Sequence, residues 1–203
     1  MLEQSARLIY KEWFVHLRFP GYEKVSVVDG VPEGWTTKNL GELLTLKRGY
    51  DLPKSKRQKG PIAIVSSSGV TGFHTEAKAK GPGVITGRYG TLGEVYLVEN
   101  DFWSLNTALY VKDFKGNMPH FVYHLLANLL NKTSSDKAAV PGVNRNDLHR
   151  LKVRDPPPFL KKQFLENVAP IHQQVTVLER QNEKLAEARD LLLPRLMSGQ
   201  IRI

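Results

Sequence analysis

Asp155-Pro156-Pro157-Pro158-Phe159 is the stretch that divides the chain. Three successive prolines offer no backbone donors, so neither a helix interior nor a central strand accommodates them. Downstream, from about Phe159 to Leu193, runs the longest periodic segment. With Ile171, Leu178, Leu185 and Leu192 at heptad position d, position a holds Val168, Val175, Asn182 and Arg189. Every d is apolar, while a decays from valine to polar. That is the pattern of a coiled-coil seam about three to four heptads long. An asparagine at a, here Asn182, fixes register and partner number at some cost in stability. Pro170 predicts a late start or a kink. Pro194 is expected to close the helix, before Ser198-Gly199 and a short tail.

Upstream of the prolines the patterning changes. Ile62–Val65, Val84–Thr86, Val95–Val98 and Ala108–Val111 are short apolar or alternating runs with Gly or Pro nearby, which predicts strands. Asn39–Leu46 predicts a short helix running into a strand. Pro119 opens a helix whose apolar face carries Phe121, Val122, Leu125, Leu126, Leu129 and Leu130. Asn131–Pro141 reads as a polar loop, and Asn144–Val153 as a turn or short helix followed by a strand. At the start of the chain Leu2, Ala6, Ile9, Trp13 and Leu17 recur at helical spacing, with Tyr10 and Phe14 widening the stripe. Phe19-Pro20-Gly21 ends it. The expected fold class is therefore α+β. Residues 1–19 form a helix that packs on the long one, 20–35 a linker, 36–158 a mixed globular domain, and 159–203 the long spacer helix and tail.

Charge separates these regions. The chain carries 29 basic and 20 acidic residues, a net charge of +9. Residues 1–35 are net −1, residues 36–159 net +8, and residues 160–203 net +2. A basic globular domain between nearly neutral flanks points to a polyanionic partner. The absence of cysteine excludes disulfides, thiolate metal sites and cysteine nucleophiles, and fits a reducing cytoplasm. No apolar run approaches the ~20 residues that span a bilayer. The first residues lack a basic stretch followed by an apolar one, so no leader and no membrane association are expected.

Enzyme chemistry finds no support in the motifs. Gly87-Arg88-Tyr89-Gly90-Thr91-Leu92-Gly93 has neither the Gly-Lys-Ser/Thr of a phosphate-binding loop nor dinucleotide-fingerprint spacing. It reads as a tight turn displaying Arg88 and Tyr89. Asp155-Pro156-Pro157 matches the start of an amino-methyltransferase motif, but Pro158 stands where an aromatic ring must stack on the base. His120 and His124 share a helix face without a third ligand, and are read as surface histidines. No nuclease carboxylate pattern and no G-x-S-x-G elbow is present.

Binding is better supported. Lys47, Arg48, Lys54, Lys56, Arg57 and Lys59 place six cations in thirteen residues, opposed only by Asp51. Gly49, Pro53 and Gly60 make this a loop suited to phosphates. A second basic, polar stretch runs from Lys132 to Arg154 and includes Lys137, Asn144, Arg145, Asn146, Asp147, His149 and Arg150. Arg, Asn and Asp are side chains that read base edges in the major groove. The candidate DNA-binding set is Lys47, Arg48, Lys54, Lys56, Arg57, Arg88, Tyr89, Arg145 and Arg150. The candidate helix-pairing set is Trp13, Phe14, Leu17, Ile171, Val175, Leu178, Asn182, Leu185 and Leu192. No catalytic or metal-ligating set is assigned.

The order of parts is more specific than any one motif. Gly34-Trp35 and Leu40-Gly41-Glu42-Leu43 precede Lys47-Arg48-Gly49, then Ser66-Ser67-Ser68-Gly69-Val70 and Ile85-Thr86-Gly87-Arg88-Tyr89-Gly90. Asn106-Thr107-Ala108-Leu109, Asp147-Leu148, the proline segment, Arg180-Gln181-Asn182-Glu183 and Leu196-Met197-Ser198-Gly199 follow. In this order the chain resembles one half of a type I restriction–modification specificity subunit, with a single target recognition domain and one spacer helix. The resemblance implies a non-catalytic subunit that reads double-stranded DNA. It also implies docking to methyltransferase and restriction subunits, which would bring S-adenosylmethionine, ATP and Mg²⁺. The first flank resembles the end of a first spacer helix, so the chain looks like a C-terminal half. A half-length reader implies a homodimer on an interrupted palindrome, with a coiled-coil decoy that binds methyltransferase subunits as the alternative.

Overall fold

The computed structural model describes residues 1–88, 94–136 and 144–200. Its order is α1 (Leu2–Phe14), the hairpin β1 (Val27–Val28) and β2 (Val31–Pro32), β3 (Thr36–Asn39), α2 (Leu40–Leu43) and β4 (Thr45–Arg48). There follow β5 (Ile62–Ser66), β6 (Gly69–His74), β7 (Gly83–Gly87), β8 (Val95–Val98), β9 (Phe102–Ser104) and β10 (Ala108–Asp113). The chain ends with α3 (Pro119–Asp136), α4 (Arg145–Arg150), β11 (Lys152–Asp155) and α5 (Pro158–Met197). It is a mixed α/β domain between a short N-terminal helix and one long C-terminal helix.

The main sheet is antiparallel, in the order β4-β10-β7-β8, and a smaller sheet runs β6-β5-β9. The separate pair β11-β3 sets Asp155 opposite Thr36 and Lys152 opposite Asn39. The two ends of the globular region are thereby fastened together. Asn39 then starts α2 with a capping box, its backbone N–H donating to the Glu42 carboxylate at 2.7 Å. Leu40, Leu43 and Leu44 turn inward, and β4 follows at once.

One apolar core joins α1, α3 and α5 to the main sheet. Phe121, Val122, Leu125, Leu126 and Leu130 of α3 meet Leu160, Phe164 and Val168 of α5 and Ala6, Tyr10 and Phe14 of α1. Phe164 is fully buried, with ring centroids of Phe14 at 5.1 Å, Tyr10 at 5.7 Å and Trp13 at 5.9 Å. Phe14 also packs on Phe121 at 5.4 Å and Trp35 at 5.9 Å. The apolar face of α1 is therefore used inside the chain.

The long helix starts at the prolines because Pro158 occupies a first-turn position, where no intrahelical N–H is needed. It passes through Pro170 and Pro194 and ends at Met197, so the helix neither starts at Pro170 nor stops at Pro194. Both are exposed, and water serves the carbonyls that they leave without a donor. The reading of residues 131–141 as loop is corrected over 131–136, since α3 runs to Asp136, and 137–141 lie outside the described residues. The linker contains the β1–β2 hairpin. Besides that hairpin, the sequence reading misses β3, β6 and β9. β6 contains Gly69 and Gly72, which blur alternation, and β9 is three residues long.

An ion-pair cluster sits where the domain meets α5. Asp155 and Lys161 are both buried and paired, and Lys38 Nζ donates to the second Asp155 oxygen at 2.7 Å. Lys161 Nζ also donates to Asn117 Oδ1 at 2.8 Å and lies 5.2 Å from the Phe121 ring centroid. Removing one member strands the other charge in the core. Asp155→Ala is expected to cost about 3–5 kcal/mol of unfolding free energy in urea melts, and a loss below ~1 kcal/mol contradicts this.

His124 is buried rather than on the helix surface, which corrects the sequence reading. Its Nε2 lies 3.0 Å from Nε2 of His172 on α5, and its ring stacks on Tyr10. Burial, then the neighbouring His172, holds His124 down at about 3 from its ordinary 6.5. The native state therefore binds fewer protons than the unfolded state. This contribution to stability is complete above pH 6.5 and is lost as pH falls through about 3. Urea melts at descending pH should show this decline. His124→Phe should flatten it by up to about one proton's slope, ~1.4 kcal/mol per pH unit. An unchanged slope would contradict the assignment.

Candidate nucleic-acid interface

β4 is an edge strand that carries Lys47 and Arg48 to the end of the main sheet. There the chain crosses to the smaller sheet. Gly49 N–H donates to Ala108 O at 3.1 Å, and Tyr50 N–H donates to Ser104 O at 2.8 Å. A Cβ on Gly49 would lie 2.2 Å from the Leu105 carbonyl oxygen, so the crossing admits only glycine.

The crossing organises a polar cluster. Lys47 Nζ donates to the Tyr50 hydroxyl at 2.9 Å and stands 4.8 Å from its ring centroid. The Tyr50 and Tyr110 hydroxyls are 3.2 Å apart. The hydrogen bond from Lys47, then that with Tyr110, holds the Tyr50 hydroxyl below its ordinary value. Burial, first, raises that of Tyr110. Arg48 Nε donates to Asn106 O at 3.2 Å, and Asn106 Nδ2 donates to Asp51 Oδ1 at 3.0 Å. On the far side of β10, the Arg88 N–H donates to Thr107 O at 3.0 Å.

Arg48 and Arg88 thus flank the Asn106-Thr107 turn that enters β10. β10 lies between β4 and β7, so their backbones are two strand spacings apart, about 10 Å. The loop after β4 projects from the same end. Lys54–Lys56 form one exposed 3-10 turn, and the Arg57 Nε donates back to Leu52 O at 3.4 Å. Leu52 anchors the loop among Ile64, Trp103 and Leu105.

Lys47, Arg48 and Arg88 lie at the ends of β4 and β7 on either side of β10, and Lys54, Lys56 and Arg57 sit in the loop that follows β4. Arg145 and Arg150 lie elsewhere. Their helix α4 covers the outer edge of β4, where the Leu46 N–H donates to His149 Nε2 at 2.9 Å. Desolvation, then Arg145 and Lys115, lowers the His149 value and keeps the ring an acceptor. Arg150 is exposed, 3.8 Å from Asp147. Tyr89 and Lys137 lie outside the described residues. Sequence reasoning counted Asp51 only as an opposing charge and overlooked Tyr50 and Asn106 as parts of the cluster. The sequence signal was the Asn106-Thr107 pair ahead of a strand.

The family model for the type I restriction modification DNA specificity domain matches residues 32–187. The chain belongs to this family. A curated relative, the type I restriction enzyme MjaIX specificity subunit of Methanocaldococcus jannaschii, is 26% identical over 231 aligned positions. That match covers all of this chain and 54% of the relative. Among solved structures, the type I S subunit from M. genitalium superposes with a TM-score of 0.68 at 18% identity, covering 81% of this chain and 46% of its own. The HsdS subunit from Thermoanaerobacter tengcongensis gives 0.58 at 16% identity, covering 98% and 51%. A chain from a type I R-M system, solved to explain complex assembly and conformational transition, gives 0.63 at 19% identity, covering 94% and 49%. These structural likenesses show a shared fold. The chain spans about half the length of each of these relatives.

Among the described residues, no cluster of three His, Asp or Glu side chains could hold a metal ion. No described helix is long and apolar enough to cross a membrane.

Gly49→Ala is expected to disrupt the crossing and lower stability by more than ~2 kcal/mol, because its Cβ meets backbone that cannot give. Lys54→Ala and Lys56→Ala should each stay within about 0.5 kcal/mol of the parent, since both side chains are exposed. Thermal melts of the three variants check this, and an unaffected Gly49→Ala contradicts it.

Proposed function

We propose that this chain is the DNA-reading, non-catalytic specificity subunit of a type I restriction–modification system. The observation that carries the reading is the cluster at the sheet end. Arg48, Asn106 and Asp51 are joined by hydrogen bonds, Arg88 stands across β10, and the cationic loop continues from the end of β4. Lys54, Lys56 and Arg57 serve phosphates, and Arg88 serves base edges. Arg145, Arg150, Tyr89 and Lys47 complete the proposed set, with Lys47 held for positioning by Tyr50. Methyltransferase and restriction subunits supply S-adenosylmethionine, ATP and Mg²⁺, in the cytoplasm where DNA is met. A helix partner or decoy would have no need of these cations.

Replacing Lys54, Lys56 and Arg57 together by Ala should weaken binding to every duplex and flatten the dependence of log affinity on log salt by up to about three units. Fluorescence anisotropy at several salt concentrations reads this. An unchanged salt slope rules out the loop. Arg88→Ala should erase discrimination between sequences more than affinity.

The second part of the proposal is a homodimer. α1 runs beside α5, with Phe14 against Phe164 and Glu3 close enough to Glu179 to raise its carboxyl value. α1 therefore covers α5 to about residue 180. Trp13, Phe14, Leu17 and Ile171 belong to this covered half, with Phe14 fully engaged inside the chain, and Val175 is half-buried beside them. At the end of this stretch and beyond it the seam is open, with Leu178 41%, Leu185 67% and Leu192 46% exposed. An antiparallel second copy continues the row that α1 begins. With its end abutting α1, the two-fold axis falls near residue 190, and the recognition domains stand at opposite ends. Two identical domains then meet an interrupted palindrome. Light scattering should give about twice 22.9 kDa for the parent and 22.9 kDa for the double variant Leu185→Asp, Leu192→Asp. A monomeric parent overturns the dimer.

A further inference from the structure

A groove of about 770 Å³ separates β8 and the exposed face of β6 from α3, α5 and the start of α1. Its charge is opposite to that of the chain. Glu3, Glu94, Glu99, Glu179 and Glu183 line it, against Arg7 and Arg180. Arg7 is engaged, donating to the Tyr123 hydroxyl at 3.3 Å, and Glu99 is paired with His120. Glu3, Glu179 and Glu183 have no ion-pair partner among the described residues, and all three are exposed. Burial, then Glu3 and Glu183, raises the Glu179 carboxyl above its ordinary value. Arg7 lies within electrostatic reach of Glu3, but Glu179 and Glu183 keep their mutual repulsion, and a further cation would lower the energy of all three carboxylates.

The floor and far wall are apolar. Val95, Leu97, Ala127 and Val175 lie along the bottom, and Phe73, 55% exposed, stands on the opposite side with Val70. Along α5 the groove runs from His172 to Glu183, about 17 Å at ~1.5 Å per residue. That is about three helical turns. DNA is disfavoured here, because its phosphates would face the unpaired glutamates. The neutral imidazole of His124 at the base adds no positive charge to attract one.

We propose that this groove docks a cationic amphipathic helix of a partner protein. Its apolar face lies on Val95, Leu97, Val175 and Phe73, and its lysines or arginines meet Glu3, Glu179 and Glu183. The site is separate from the cationic sheet end and independent of the DNA reading. It lies beside the open seam of α5, so a partner seated there touches domain and spacer helix together.

The test uses the full chain and two fluorescein-labelled 14-residue helical peptides of one leucine pattern, one with lysine and one with glutamate at the polar positions. Anisotropy should show binding of the lysine peptide, weakening with salt, and none of the glutamate peptide. The triple variant Glu3→Gln, Glu179→Gln, Glu183→Gln should bind the lysine peptide at least tenfold more weakly. Phe73→Ala should weaken it several-fold, with thermal melts unchanged in both variants. Equal binding of the two peptides, or a triple variant that binds as the parent does, overturns the proposal. If the triple variant changes mass in light scattering, the occupant is a second copy of this chain. If it loses affinity for duplex DNA, the occupant is nucleic acid. Either result also overturns the proposal.

Discussion

The buried pair of Asp155 and Lys161 sets how the domain meets its helix. Asp155 ends the strand that pairs with β3, and Lys161 lies in the first turn of α5. Lys38 on β3 and Asn117 ahead of α3 share the cluster. Four segments that are remote in sequence are thus tied at one point. A buried ion pair is weak as a source of net stability, but it punishes misplacement, since a shifted helix would leave a charge unpaired in the core. The rings of Phe14, Phe121 and Phe164 supply the apolar adhesion around it. The outcome is a domain held in one orientation on a long helix. The proposed reading of separated DNA half-sites would depend on that property, because any wobble at the joint is amplified along the spacer.

The elements legible in the sequence are those with a local signal. Strong alternation or apolar runs mark β5, β7, β8 and β10, and Pro119 marks α3. The capping box of Asn39 and Glu42 marks α2. The less legible features depend on distant partners. Phe14 looks like an open stripe until Phe121, Trp35 and Phe164 are seen around it. His124 looks like a surface residue because its covering ring, Tyr10, lies more than a hundred positions away. Pro194 stays within α5 because an exposed helix leaves its unbonded carbonyl to water, a circumstance that propensity does not encode. At the candidate interface the cations were visible as a run. The Asn106–Asp51 bond and the Arg48–Arg88 pairing across β10 arise from sheet register, which no linear pattern shows.

Charge is distributed by position rather than spread evenly. The sheet end carries cations on a crossing that only glycine permits, and the joint between domain and α5 carries unpaired carboxylates over an apolar floor. Opposite signs at the two places would direct the proposed polyanion to one and the proposed cationic partner to the other. The far half of α5 is neutral overall but apolar along one seam, which suits a third kind of contact, helix against helix.

Spin-label distances test the central claim most directly, and the cysteine-free chain allows single-site labelling without a background. Labels at Glu187→Cys and Gln173→Cys lie about 3 and about 17 residues from the axis proposed near residue 190. An antiparallel pair of long helices predicts a short separation at the first, within ~30 Å, and about 50 Å at the second, from ~1.5 Å of rise per residue. Short distances at both sites would mean a parallel pair with both domains at one end. No dipolar coupling at either would mean a helix that stands alone, and would contradict the account.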